Sequence, residues 1–182
     1  MKRVLVILLL SVLAACSSTT ASYAPLDTAK SVDLNRYVGV WFEQAKLPNR
    51  FQAQCIGDVQ ANYSLKADGS IEVINRCKLA DGTVEEAKGQ ARLADDVQTP
   101  DNSKLEVRFA PALLSPIPSV WGDYWILKIV GDYEYSLVGT PDRQYLWVLS
   151  RSKQADAAVV NELLDYAKEW GFATEDVVKA EN

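Results

Sequence analysis

The chain carries 182 residues and no histidine. That absence removes Ser-His-Asp and Cys-His nucleophilic catalysis, histidine-ligated zinc and histidine-ligated haem together. The groups left for acid-base or nucleophilic chemistry are carboxylates, tyrosines, serines and three cysteines, Cys16, Cys55 and Cys77. Among the carboxylates Glu43 is singular, because in an extended segment it shares the face of Tyr37 and Trp41. If that face is the interior one, the charge must be paired or its pKa rises. No second carboxylate can be placed beside it, so Glu43 reads as a paired structural group in preference to an acid-base catalyst. We expect no catalytic residue, no metal and no cofactor.

Cys16 is set apart by what precedes it. Lys2 and Arg3 form a short positive region, Val4 to Leu10 is an unbroken apolar run, and Leu13-Ala14-Ala15 supplies small residues before the cysteine. This is the layout of a secretory signal. It is too short for a membrane span, which needs about 20 apolar residues. The step Leu13-Ala14-Ala15-Cys16 resembles the lipobox of bacterial lipoproteins. Residues 1–15 are therefore expected to be a cleaved signal peptide and Cys16 the lipidated first residue of the mature chain, with an ordinary signal and an unmodified cysteine as the alternative. The resemblance also implies lipid-anchored residence in the cell outer membrane, since Ser17 stands where the inner-membrane sorting rule wants Asp. In an oxidising compartment Cys55 and Cys77 are left as an even pair, for which one disulfide is the economical reading and two buried thiols the other.

The elements that must position these groups fit one domain, since about 167 residues remain after the signal. Loss of Lys2 and Arg3 leaves the mature chain at a net charge of about −7. No stretch clusters Lys and Arg, which argues against nucleic acid as a partner. Residues 16–31 are small, polar and aperiodic after the cysteine and read as a lipidated, flexible tether, with the folded domain at 32–182. Within it, strands are expected at Tyr37–Leu47, Asp58–Lys66, Ser70–Leu79, Thr83–Ala94, Lys104–Ala110, Asp123–Val130, Tyr135–Gly139 and Gln144–Arg151. Asp58–Lys66 alternates cleanly, with Val59, Ala61, Tyr63 and Leu65 on one face. The last three strands are apolar on both faces, so periodicity cannot orient them. Asp156–Trp170 changes to a helical period, with Val160, Leu163, Leu164 and Ala167 on one stripe, Asp156 as N-cap and Gly171 past the end. A short closing strand is expected near Asp176–Lys179. The pattern predicts an all-β chain, an eight-stranded antiparallel up-and-down β-barrel with one C-terminal α-helix packed on it, and such a barrel has room for one small ligand.

Three motifs in order then resemble the lipocalins: Gly39-Val40-Trp41 on the first strand, Gly131-Asp132-Tyr133, and Arg151 ending Trp147-Val148-Leu149-Ser150-Arg151. Gln60-Ala61-Asn62-Tyr63-Ser64-Leu65, Trp121-Gly122-Asp123-Tyr124-Trp125 and Pro141-Asp142-Arg143-Gln144-Tyr145-Leu146-Trp147 narrow the likeness to bacterial outer-membrane lipocalins and their relative apolipoprotein D. The resemblance implies that Arg151 lies across the Trp41 indole, a cation-π contact of about 0.5–2 kcal/mol. It also implies that Tyr37, Tyr63, Asn75, Phe109, Tyr124, Trp147 and Leu149 line a ligand pocket, each with plain core packing as the other reading. Cys55 matches a position that apolipoprotein D bonds to a distant C-terminal cysteine absent here, so a local bridge to Cys77 is expected instead. Residues 112–120, longer and more apolar than in bacterial relatives, read as a lid, a dimer contact, a membrane-touching tip or a plain ordered loop. The function implied is a non-enzymatic binder of a fatty acid or lysophospholipid beside the membrane that supplies it. The resemblance also raises homodimer formation. Another apolar ligand, such as a pigment, quinone or signalling molecule, is the alternative, followed by an enzyme acting on a lipid or isoprenoid and by a filled, purely structural barrel.

Overall fold

The computed structural model describes residues 23–94 and 101–180. The expected signal segment 1–15, the expected lipidation site Cys16 and the first part of the expected tether lie outside the described residues. Nine strands occur among the described residues: β1 Gly39–Lys46, β2 Gly57–Leu65, β3 Ile71–Lys78, β4 Val84–Leu93, β5 Lys104–Arg108, β6 Gly122–Val130, β7 Tyr135–Gly139, β8 Leu146–Ser150 and β9 Val178–Lys179. A short helix, α1 (Leu34–Tyr37), precedes them, and α2 (Ala157–Glu169) follows β8.

Each strand from β2 to β7 pairs antiparallel with the next, and β1 closes the ring by pairing with both β2 and β8. Gly39 to Phe42 of β1 face Gln60 to Tyr63 of β2, while Phe42 to Lys46 face Trp147 to Ser150 of β8 across a bulge. Where β1 leaves β2, β9 takes the free edge at Ala45 and Lys46. The product is the expected closed eight-stranded antiparallel barrel, with one added strand and one C-terminal helix. Because neighbouring strands run up and down, the β1–β2, β3–β4, β5–β6 and β7–β8 connections share one end and α1 lies at the other.

Two apolar cores result. Leu127, Leu137, Leu146 and Val148 point out of the barrel and meet the Val160, Leu163, Leu164 and Ala167 stripe of α2. Their neighbours Ile126, Val138 and Leu149 point inward to Trp41, Tyr63, Ile71, Val73 and Leu105. This double burial is why β6 to β8 are apolar on both faces. The Asp156 carboxylate caps α2 by accepting from Ala158 N at 2.8 Å, and Gly171 ends it at φ +86°, a left-handed conformation that glycine takes without steric cost.

Three expectations change. Tyr37 does not begin β1; it ends α1, whose N-cap Asp33 accepts from Asn35 N at 2.9 Å. The strands are also trimmed: β5 stops at Arg108, and β8 runs only from Leu146 to Ser150. Finally, residues 23–31 are not a free tether. Leu26 enters the core under α2, Ala29 N donates to Ile126 O at 2.9 Å, and Arg143 Nη2 donates to Ala24 O at 2.6 Å. A buried leucine and paired backbone groups hold the segment to the barrel wall although its overall composition is that of a linker.

Candidate ligand-binding cavity

The end of the barrel beside α1 is sealed. Gly39 turns the chain from α1 into β1 at φ +100°, and a Cβ there would stand 3.3 Å from Arg151 Nη1, so the first glycine of the motif makes room for the last arginine. Trp41 is fully buried, and its Nε1 donates to Tyr37 O at 2.7 Å. The Arg151 guanidinium lies 3.7 Å from the Trp41 ring centroid, the stacking implied by the resemblance. Its Nη2 donates to Arg36 O, Tyr37 O and Val38 O at 2.8–3.0 Å and its Nη1 to Val40 O at 2.8 Å, which gathers the open carbonyls at the end of α1. Burial lowers the pKa of Arg151 from its ordinary value, against opposing contributions from the nearby tyrosines. Asp132 pairs with Arg36, and the Tyr133 hydroxyl accepts from Asp33 N at 2.7 Å. Gly39, Trp41, Asp132, Tyr133 and Arg151 thus meet in one cap.

Above the cap the barrel holds a cavity of about 700 Å³ that opens at the opposite end. Tyr37, Tyr63, Asn75, Phe109, Tyr124, Trp147 and Leu149 all border it, with Val59, Ala61, Ile71, Val73, Leu105 and Val107 making the wall. Tyr37, Tyr63 and Tyr124 form its floor. Tyr37 Oη lies 2.9 Å from both Tyr124 Oη and Ser136 Oγ, and Tyr63 Oη lies 3.1 Å from Tyr124 Oη. Burial pushes the Tyr37 hydroxyl up to about 12 and raises Tyr63 and Tyr124 well above the ordinary tyrosine value, so all three stay protonated at neutral pH. Halfway up the wall Asn75 is flanked by Ala61 on β2 and Ala87 on β4, and its buried Oδ1 has no hydrogen-bond partner.

The mouth is polar in its frame and apolar at its tips. Glu43, 4% exposed, pairs with Lys46 Nζ at 2.8 Å and accepts from Gln52 Nε2 at 2.7 Å. Gln52 Oε1 in turn accepts from Trp147 Nε1 at 3.0 Å, and Tyr145 stacks on Trp147 with centroids 5.9 Å apart. Glu43 is therefore the inward, paired carboxylate the sequence suggested. Gln52 was missed: it sits in a one-turn 3₁₀ segment, Arg50–Gln52, with no periodic signal. Trp121, also missed as a site residue, lies under Arg92 and Arg108 at 4.2 and 5.1 Å from its centroid. Residues 112–120 form two short 3₁₀ turns tied down by Trp121 Nε1 donating to Ser115 O at 2.9 Å, which leaves Leu113 88% exposed. A Cys55–Cys77 disulfide closes a separation of 22 residues. Cys55 lies in the connection before β2, so the bridge ties the mouth to β3 and does not link two strands.

Among the described residues no group of His, Cys, Asp and Glu could hold a metal, and no helix is long and apolar enough to cross a membrane. Comparison with known proteins matches a lipocalin-like domain over residues 32–182. Temperature-induced lipocalin-1 of Arabidopsis thaliana is 38% identical over 147 residues, covering 81% of this chain and 77% of that protein. Outer membrane lipoprotein Blc of Escherichia coli is 33% identical over 159 residues (87% and 83%), and mouse apolipoprotein D 37% over 145 residues (75% and 69%). Insecticyanin from the tobacco hornworm superposes with a TM-score of 0.67 at 21% identity, covering 88% of this chain and 86% of its own, a likeness of fold. Barrel, cap motifs and sequence relatives agree, and the chain belongs to the lipocalin family.

Proposed function

We propose that this chain is a non-catalytic carrier that holds one elongated, mainly apolar molecule in its barrel, a fatty acid or a lysophospholipid, and works from the outer membrane through a lipid on Cys16. The observation that carries the reading is the cavity of about 700 Å³, apolar along its wall and open at one end. That size lies within the roughly 300–1,000 Å³ of small-molecule sites. Each methylene removed from water contributes about 0.8 kcal/mol, so an acyl chain supplies micromolar affinity after ordering costs. The candidate catalyst, Glu43, is engaged by Lys46 and Gln52, and the floor tyrosines are held protonated, which favours binding over chemistry.

The path of the N-terminus supports the membrane part. The Tyr23 ring lies 4.9 Å from the Arg143 guanidinium in the β7–β8 connection, so the chain reaches the barrel at its open end. Only six residues separate Tyr23 from Cys16. At about 3.5 Å per extended residue, an anchor on Cys16 keeps the mouth within roughly 25 Å of the bilayer.

The test is extraction from the native envelope with mass spectrometry of co-purified molecules, together with Trp fluorescence titration by lysophospholipid and by fatty acid. Bound lipid and a saturable response are expected. Recovery of no lipid together with no response would overturn the carrier reading. Cys16→Ser is expected to move the folded protein from the membrane to the soluble fraction, and its retention in the membrane would overturn the anchor.

A further inference from the structure

The cavity floor has an unequal count of protons and partners. Ser136 Oγ, Tyr37 Oη, Tyr124 Oη and Tyr63 Oη form one chain with links of 2.9, 2.9 and 3.1 Å. Each hydroxyl brings one proton and can also accept. Three links use three protons and leave a fourth, and where each inner hydroxyl both donates and accepts along the chain, the arrangement in which the bonds strengthen one another, the spare proton falls on an end. Among the described residues neither terminal hydroxyl has a further partner. Ser136 is fully buried, and a spare proton there would be a donor stranded in the core. The chain therefore runs from Ser136 through Tyr37 and Tyr124 to Tyr63, and the unused O–H belongs to Tyr63, whose side chain borders the cavity.

Resting on the carrier reading above, we propose that the inner pole of the cavity is an acceptor subsite, in which Tyr63 Oη donates to a neutral carbonyl-class oxygen at the leading end of the ligand. Ile71, Val73, Leu105 and Leu149 form the apolar wall that receives the hydrocarbon behind that oxygen. A hydrocarbon terminus driven to the floor displaces whatever solvates the Tyr63 hydroxyl without replacing its hydrogen bond, and affinity falls. A carboxylate is the poorer match in the other direction. A desolvated anion needs several donors or a cation, whereas the floor offers one spare proton. Arg151, the nearest cation, lies against Trp41 with its N–H groups directed to backbone carbonyls. A fatty acid or lysophospholipid, whose ends are a methyl group and a charged head, is held by the apolar wall alone, and the floor adds affinity for a ligand that leads with a ketone or ester oxygen.

The experiment compares 2-tetradecanone with tetradecane as ligands of the wild-type protein and of Tyr63→Phe, by displacement of a fluorescent probe from the cavity. Removing the hydroxyl is expected to lower the ketone-to-hydrocarbon affinity ratio by about threefold to tenfold, the worth of one neutral hydrogen bond. In parallel, the infrared carbonyl band of carbonyl-labelled 2-tetradecanone is expected at lower wavenumber in the wild-type complex than in the Tyr63→Phe complex. An unchanged ratio and an unchanged band would overturn the subsite while leaving the carrier reading intact. If only a fatty acid or lysophospholipid displaces the probe, the subsite alone is overturned; if these fail as well, the carrier reading fails and the subsite falls with it.

Discussion

At the sealed end of the barrel Trp41 is fully buried under Arg151, whose N–H groups hold the carbonyls of α1, whereas at the mouth Leu113 is 88% and Phe51 59% exposed. The same strands run through both ends. The difference lies in what crosses the barrel: at the cap, large side chains meet and exclude space, while midway the inward positions shrink to Val59, Ala61, Val73, Ala87 and Ala91 and a cavity remains. The cap concentrates folding energy within the native structure. The mouth holds its β1–β2 connection covalently, through Cys55–Cys77. A barrel that has to stay open for a ligand is stabilised where the ligand does not go.

That contrast is broken most directly at the cap. Trp41→Ala removes a fully buried indole together with the surface on which Arg151 rests, and a loss of about 3–5 kcal/mol is expected in urea denaturation. A loss below about 1 kcal/mol, within the range of surface substitutions or little above it, would show that the cap is not the stabilising end. The paired variant Cys55→Ser with Cys77→Ser comes next. Releasing a separation of 22 residues is expected to cost about 3 kcal/mol, mainly through the unfolded chain. Limited proteolysis distinguishes the two effects: the cysteine variant is expected to be cut first between residues 48 and 56, whereas Trp41→Ala opens globally. Cleavage of both at the same site would erase the distinction between the ends.

How much of this was legible depends on where each signal resides. The strands read well where one face is wet: in β2 Val59 and Tyr63 are buried while Asp58 and Ser64 are exposed, although Leu65, expected on the inward face, lies exposed at the strand end. The cap was legible through three motifs, and Gly39 shows why: its φ of +100° and its contact with Arg151 leave glycine the natural residue. Tyr37 was placed on the right face for the wrong reason. It lies four positions before Trp41, which satisfies strand parity, but α1 brings its ring within 5.1 Å of the indole. The N-cap at Asp33 was the available clue to that helix. Gln52 and the packing of residues 23–31 carried no periodic signal, since their partners, Glu43 and Trp147 in one case and Ile126 and Arg143 in the other, are distant in sequence.

The smallest expected effect sharpens the comparison from the inside of the cap. Tyr37 has its hydroxyl pushed up to about 12 by burial, against an ordinary value near 10. Between those two values the unfolded chain has released a proton that the native chain retains. Stability is therefore full below about pH 10 and falls as pH rises toward 12, by about 1.4 kcal/mol per pH unit for each retained proton. Tyr37→Phe removes one such proton. It is expected to cost only about 1 kcal/mol at neutral pH, the worth of a hydroxyl that bonds Tyr124 and Ser136, and to flatten the alkaline loss by about 1.4 kcal/mol per pH unit. Urea midpoints measured from pH 8 to pH 11 read both. An alkaline slope identical to that of the wild type would mean that water reaches Tyr37 in the native barrel, and the floor of the cavity would then belong with the mouth and not with the cap.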